Sequence, residues 1–336
     1  MLDGRALRRI GAELSRPECV LCHVSGLLIV SDWTPPGGVS LIAPDGRVTR
    51  LLATRPDDGV PRTLKPNGIA LEDGGTVLLA HLGTTCGGIF RLYPDGRCEL
   101  VTNTVDGADM PPTNFVTVDG AGRIWITVST RAMPRDSDFH AGASGGFIAC
   151  HTNGSTRLVA DGLGYTNECV LSGDARTLYV NETFGRRLTA FEHEDGRLTS
   201  RRTVAAFGLG DFPDGVTLAE GGAAIVSSIL SNRVIHVDLE TGAQKHWMAD
   251  ADRTYLDDIE QAFADGTLSR VHLETPPPGR LPHISSVAFG GTDQKTAFVG
   301  TLGGACVYAF DAPKAGLQPM HWSHDATALL TLAGMV

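Results

Sequence analysis

Six oxygen-bearing residues head a phrase that recurs along this chain: Glu18, Asn67, Asn114, Asn167, Asp214 and Ser285. Each precedes alternating apolar residues, as in Glu18-Cys-Val-Leu-Cys, Asn114-Phe-Val-Thr-Val and Asp214-Gly-Val-Thr-Leu. None of the six is a thiol or an imidazole. Carboxylates gathered at one place repel each other unless a cation joins them. Two carboxylates with amide carbonyls form a hard-oxygen set that suits Ca²⁺, with zinc, manganese or magnesium as alternatives. Glu18 and Asp214 together neutralise a divalent ion. Such an ion acts as a Lewis acid on a carbonyl and lowers the pKa of bound water. Asp214, or His283 two residues before the last head, is the candidate base.

The elements that must position these residues follow from their spacing. Successive heads lie 49, 47, 53, 47 and 71 residues apart, and 51 residues follow Ser285. Each phrase leads through a turn into a strand rich in β-branched residues, such as Arg123-Ile-Trp-Ile-Thr-Val. Asp-Gly pairs at 45–46, 95–96 and 195–196 favour tight hairpins between later strands. About four short antiparallel strands per unit, six times over, predict an all-β, six-bladed β-propeller in one domain spanning 1–336. The polar heads then stand in one register around a common axis.

Two departures from the period read as lids over one mouth of that axis. Residues 129–145 follow a second strand and contain Arg131 and His140; residues 249–282 precede an innermost strand. In the latter, Tyr255, Leu256, Ile259 and Phe263 recur at helical spacing, predicting a short helix from Thr254 to Phe263. Pro276-Pro-Pro-Gly ends any helix there. Asn67 and Asn114 from the ring, with Arg131 and His140 from the first lid, are the substrate-side candidates.

Composition narrows the partners. A net charge of −10 argues against nucleic acid or an anionic membrane surface, and no apolar run is long enough for a membrane span. The first fourteen residues carry Arg5, Arg8 and Arg9 without the apolar run of a secretory signal. Seven scattered cysteines then read as reduced, mostly buried residues of a cytoplasmic protein. Cys19-Val-Leu-Cys-His23 spells a haem-attachment pattern, but on a strand Cys19 and Cys22 point to opposite faces.

Several phrases, in order, resemble the SMP-30/gluconolactonase/luciferin-regenerating-enzyme family: Arg16-Pro-Glu-Cys-Val-Leu, Thr113-Asn-Phe-Val-Thr-Val-Asp-Gly, Tyr165-Thr-Asn-Glu-Cys-Val-Leu, Phe212-Pro-Asp-Gly-Val and Ser286-Val-Ala-Phe-Gly-Gly. The resemblance covers the chain from Glu18 onwards. It implies a divalent cation held by Glu18, Asn167 and Asp214, with Asn114 at the metal orienting substrate or water. It also implies hydrolysis of a lactone or related ester, with Asp214 as base. Three features depart from the family pattern. Pro112 stands where sugar lactonases commonly carry Arg, Glu18-Cys-Val replaces Glu-Gly-Pro, and the lid residues Arg131–His140 show no identifiable substrate-contacting acid and base. These bear on the sugar pocket and leave the metal site intact. The competing readings are phosphotriester hydrolysis or a non-hydrolytic isomerisation at the same site, and a non-catalytic binding propeller.

Overall fold

The computed structural model describes residues 2–3 and 7–336. Six sheets follow one another along the chain, antiparallel except for a two-residue parallel outer strand in two of them. Their innermost strands are Val20–Cys22, Pro66–Leu71, Thr113–Val118, Thr166–Leu171, Pro213–Ala219 and Ile284–Gly290. Each touches the innermost strand of its neighbours, and the sixth returns to the first, so the ring closes as a six-bladed propeller. Neighbouring blades cover both faces of a sheet near the axis. Strands such as Leu28–Asp32 and Val77–His81 are therefore buried at every position. Outer strands such as Ser155–Leu163 show exposed positions instead.

The three Asp-Gly pairs do close hairpins between third and fourth strands, with Gly46, Gly96 and Gly196 at positive φ. Only at Asp195-Gly196 do both residues take the left-handed region.

One departure from the expected repeat concerns the last unit. It supplies three strands, not four. Its outer strand is Arg8–Ile10, running antiparallel to Val307–Asp311 with Arg9 opposite Tyr308. The residues before the first head thus complete blade six, joining the two ends of the chain across one sheet. The remaining C-terminal residues leave the ring. They form a 3₁₀ turn at Met320–Ser323 and a helix at Thr327–Leu332 that packs Ala326, Leu329 and Ala333 against Leu27, Leu41, Leu71 and Val77. Asp325 bonds Asp73 and Gly74 in the turn after the blade-two innermost strand, on the face opposite the heads.

The 249–282 insertion contains α1 (Arg253–Ala264) and α2 (Arg270–Glu274). The observed α1 extends the predicted helix by one residue at each end, and the Asp252 side chain caps it by accepting the Tyr255 N–H at 3.0 Å. Ile259 joins Phe139 of the 129–145 segment, Tyr165, Phe184 and Phe212 in one apolar cluster, with Phe263 packed against it. Both insertions therefore share a roof over the same mouth.

Candidate metal centre

The backbone aims the six heads through a local irregularity. The ladder between first and second strands shifts register at the head in blades two to six, for example between Thr113 and Phe115 and between Pro213 and Val216. A bulge frees that residue from the ladder and redirects its side chain. Hydroxyls on or just after the second strands then hold the heads. Ser31 Oγ accepts the Glu18 and Cys19 N–H groups, each at 3.1 Å. Ser129 Oγ accepts the Asn114 amide at 3.0 Å, Thr183 Oγ1 the Asn167 amide at 3.1 Å, and Ser227 Oγ the Gly215 N–H at 2.8 Å. These hydroxyls were legible only as β-strand residues in the sequence.

All six heads are buried. Asn67 Nδ2 donates to the Asn114 carbonyl at 3.1 Å, and Ser285 Oγ donates to the Glu18 carbonyl at 2.7 Å, so neighbouring blades are tied head to head. Asp214 Oδ2, Asn67 Oδ1 and Asn114 Oδ1 are buried without a hydrogen-bond partner. Burial pushes the Asp214 carboxyl well above the usual carboxylate range, and Glu18 and Glu168 push it further; Arg16 and the Asn167 amide oppose them. Glu18 Oε2 accepts from Arg16 Nε at 2.9 Å.

Glu168 was not anticipated. It follows Asn167 where blades two and five have Gly68 and Gly215, accepts the Val216 N–H at 3.0 Å, and is pushed up to about 8, first by burial and then by Glu18. A charged residue in that glycine position was the available signal.

Among the described residues no group of three or more His, Cys, Asp or Glu side chains stands ready to hold a metal. A cation here depends on amide oxygens as well. The unpartnered oxygens of Asp214 and Asn114, in one register of the ring, together with Glu18, which acts on Asp214, fit a hard cation of irregular coordination. Isolated buried oxygens of this kind are otherwise costly.

The remaining predicted residues lie elsewhere. His283 is fully buried at positive φ, with Nδ1 2.7 Å from the Leu273 carbonyl and Nε2 3.2 Å from the Tyr255 hydroxyl. Both ring nitrogens thus bind the insertion, and burial lowers its pKa. Arg131 is drawn outward by Asp161 at 2.7 Å, and His140 lies half-buried beside Asp138 at 3.6 Å. The lid residue that turns inward is Arg135, whose Nη2 donates to Ser129 Oγ at 3.2 Å, the same hydroxyl that holds Asn114. Arg135 lines a cleft of about 280 Å³ with Trp33, Lys65, Pro134, Asp136 and Arg270. The haem-like cysteines part as expected: Cys19 and Cys22 are buried in different apolar clusters.

A model of the SMP-30/Gluconolactonase/LRE-like region matches residues 43–254. The chain is 28% identical over 199 residues to a pentonolactonase of Haloferax volcanii, an alignment covering 57% of this chain and 55% of that one. It thus spans about half the length of that relative. A gluconolactonase of Xanthomonas campestris superposes with a TM-score of 0.63 at 22% identity, over 91% of this chain and 90% of the other. A calcium-binding regucalcin of Agrobacterium tumefaciens gives 0.64 at 15% identity, over 94% and 96%. Those two likenesses concern the fold, while the region match rests on sequence through blades two to five. With six blades, a ring of oxygen-bearing heads and that match in place, the chain belongs to the SMP-30/gluconolactonase/LRE-like family.

Proposed function

We propose that this protein is a divalent-cation-dependent hydrolase of a lactone or related ester, with Glu18, Asn114, Asn167 and Asp214 holding the cation and calcium the first candidate. The carrying observation is a pair of buried oxygens without partners, Asp214 Oδ2 and Asn114 Oδ1, in one register of a ring where Glu18 lies within electrostatic reach of Asp214. The lactonase names of the Haloferax and Xanthomonas relatives support the substrate class. The cation would supply Lewis acidity towards an ester carbonyl.

The chain's own part can be derived from its geometry. Asp214 Oδ2 is the oxygen free to take a proton from an attacking water, and a cation between Glu18 and Asp214 would offset the burial and repulsion that raise its pKa, keeping it ionised for that task. His283, with both nitrogens engaged by the insertion, serves as an anchor instead. Ser129 and Thr183 fix the amides of Asn114 and Asn167, so that their carbonyl oxygens are the ends left for a ligand. The apolar roof keeps bulk water from the mouth. Seven unpaired cysteines, six of them buried, support a reducing compartment, and we place the protein in the cytoplasm.

The test is turnover of a panel of aldonolactones and aryl esters, with and without a chelator, together with Asp214→Asn. Chelation and the substitution should each lower kcat/KM by about 100-fold or more, and calcium should restore only the wild type. Turnover that survives both treatments sinks the proposal.

A further inference from the structure

The chain is acidic overall, yet the cleft beside the centre is lined by cations. Arg135 is only 9% exposed and forms no ion pair among the described residues. Its Nη2 donates to Ser129, its Nε has no acceptor, and its guanidinium lies 5.7 Å from the Tyr165 ring centroid. A buried guanidinium without a carboxylate is costly unless a ligand completes it.

Lys65, half-buried and also without an ion pair, holds its Nζ 5.3 Å from the Trp33 ring centroid. Arg270 is paired with Glu274 at 3.0 Å, in an exposed contact that contributes little. Asp136 is the one carboxylate in the lining, so three cations face one anion. The cleft adjoins the centre. Arg135 and Asn114 share Ser129, and the buried Tyr165 lies within electrostatic reach of Arg135, Arg270 and Asp214.

We propose that this cleft is an anion subsite, and that the substrate carries an anionic group, a carboxylate or a phosphate, in addition to its lactone. Arg135 binds that group through its planar fork of N–H donors, and Lys65 and Arg270 add charge. A neutral sugar lactone leaves the Arg135 charge uncompensated, which disfavours it as substrate. The reacting group is taken from the lactone reading of the centre; the subsite stands on its own cations.

Calorimetry on the full chain, with calcium and again after chelation, tests the subsite with D-glucarate, 6-phospho-D-gluconate and neutral D-glucitol. At least one anion should bind more tightly than about 1 mM in both conditions, and glucitol at least 10-fold more weakly. The tighter anion identifies the group. Arg135→Gln and the rim substitution Lys65→Gln should each weaken the anion at least 10-fold, and added salt should weaken it further. Lys65→Gln keeps the test valid if the buried substitution perturbs folding. Glucitol binding as tightly as the anions, or variants that bind like wild type, would overturn the subsite. A parallel comparison of kcat/KM for the corresponding lactones separates the two ideas. Anion binding without lactone turnover faults the reading of the centre, whereas turnover of neutral lactones without anion binding faults the subsite alone.

Discussion

Glu168 carries a third carboxyl into a channel that already holds Glu18 and Asp214, and the Val216 N–H is its one hydrogen-bond donor among the described residues. Its folded pKa of about 8 lies above that of the unfolded chain, so the folded state retains a proton that the unfolded state has released. Stability from this group therefore declines as pH rises from the carboxylate range towards 8, and then levels. Gln at this position can still accept the Val216 N–H without adding charge. Glu168→Gln should raise the Tm of the chelated protein by about 5 °C at pH 8.5 and hardly at all at pH 5, as read by thermal unfolding at both pH values. An equal shift at both would mean that packing, not charge, is responsible. Below that pH Glu168 stays neutral, so the charge of the centre is set by Glu18 and Asp214, with Arg16 offsetting part of it.

At the scale of elements, the insertions and the C-terminal segment act on opposite faces of the ring. His283 ties blade six to α1 and to the end of α2 through Tyr255 and Leu273. On the far face His321 of the 3₁₀ turn is half-buried with its Nε2 shielded and without a partner, and its pKa falls to about 4 through burial, aided by His324 and His23. Because that value lies below the unfolded one, only the unfolded chain takes up the proton as pH falls below about 6.5. Stability should drop by ~3 kcal/mol between pH 6.5 and 4 from this residue. His81, also lowered to about 4 by burial and by Lys65, acts in the same sense. Urea titrations across that range should show His321→Gln losing about half of the acid sensitivity of the wild type. An unchanged slope would place the proton uptake elsewhere.

For the whole molecule, closure of the ring is the decisive event. Arg8–Ile10 cover the edge of Val307–Asp311, and Ile10 packs against the cluster of Leu14, Val20 and Val307. Without that strand, blade six presents an unpaired edge beside the first blade, inviting both opening and association. Removal of the residues before Gly11 should lower Tm by about 10 °C or produce higher oligomers on size-exclusion chromatography. A truncated monomer of unchanged Tm would show that the inner ring holds itself closed.

The sequence by itself determined the number of blades, the place of both insertions, a helix over Thr254–Phe263 and the oxygen chemistry of the ring. Each of these is written locally: in a period near fifty, in one helical spacing, and in the residue type at each head. The tertiary structure alone decided which charges are compensated. Arg131 and Arg135 are equally basic in the sequence, but Asp161 claims the first, while the second is folded inward onto Ser129. His283 looked like a base until Leu273 and Tyr255, from the insertion packed over it, occupied both nitrogens. Blade six likewise needed residues almost three hundred positions away. Burial and pairing are properties of contacts between distant segments, so they exist only once the ring has closed.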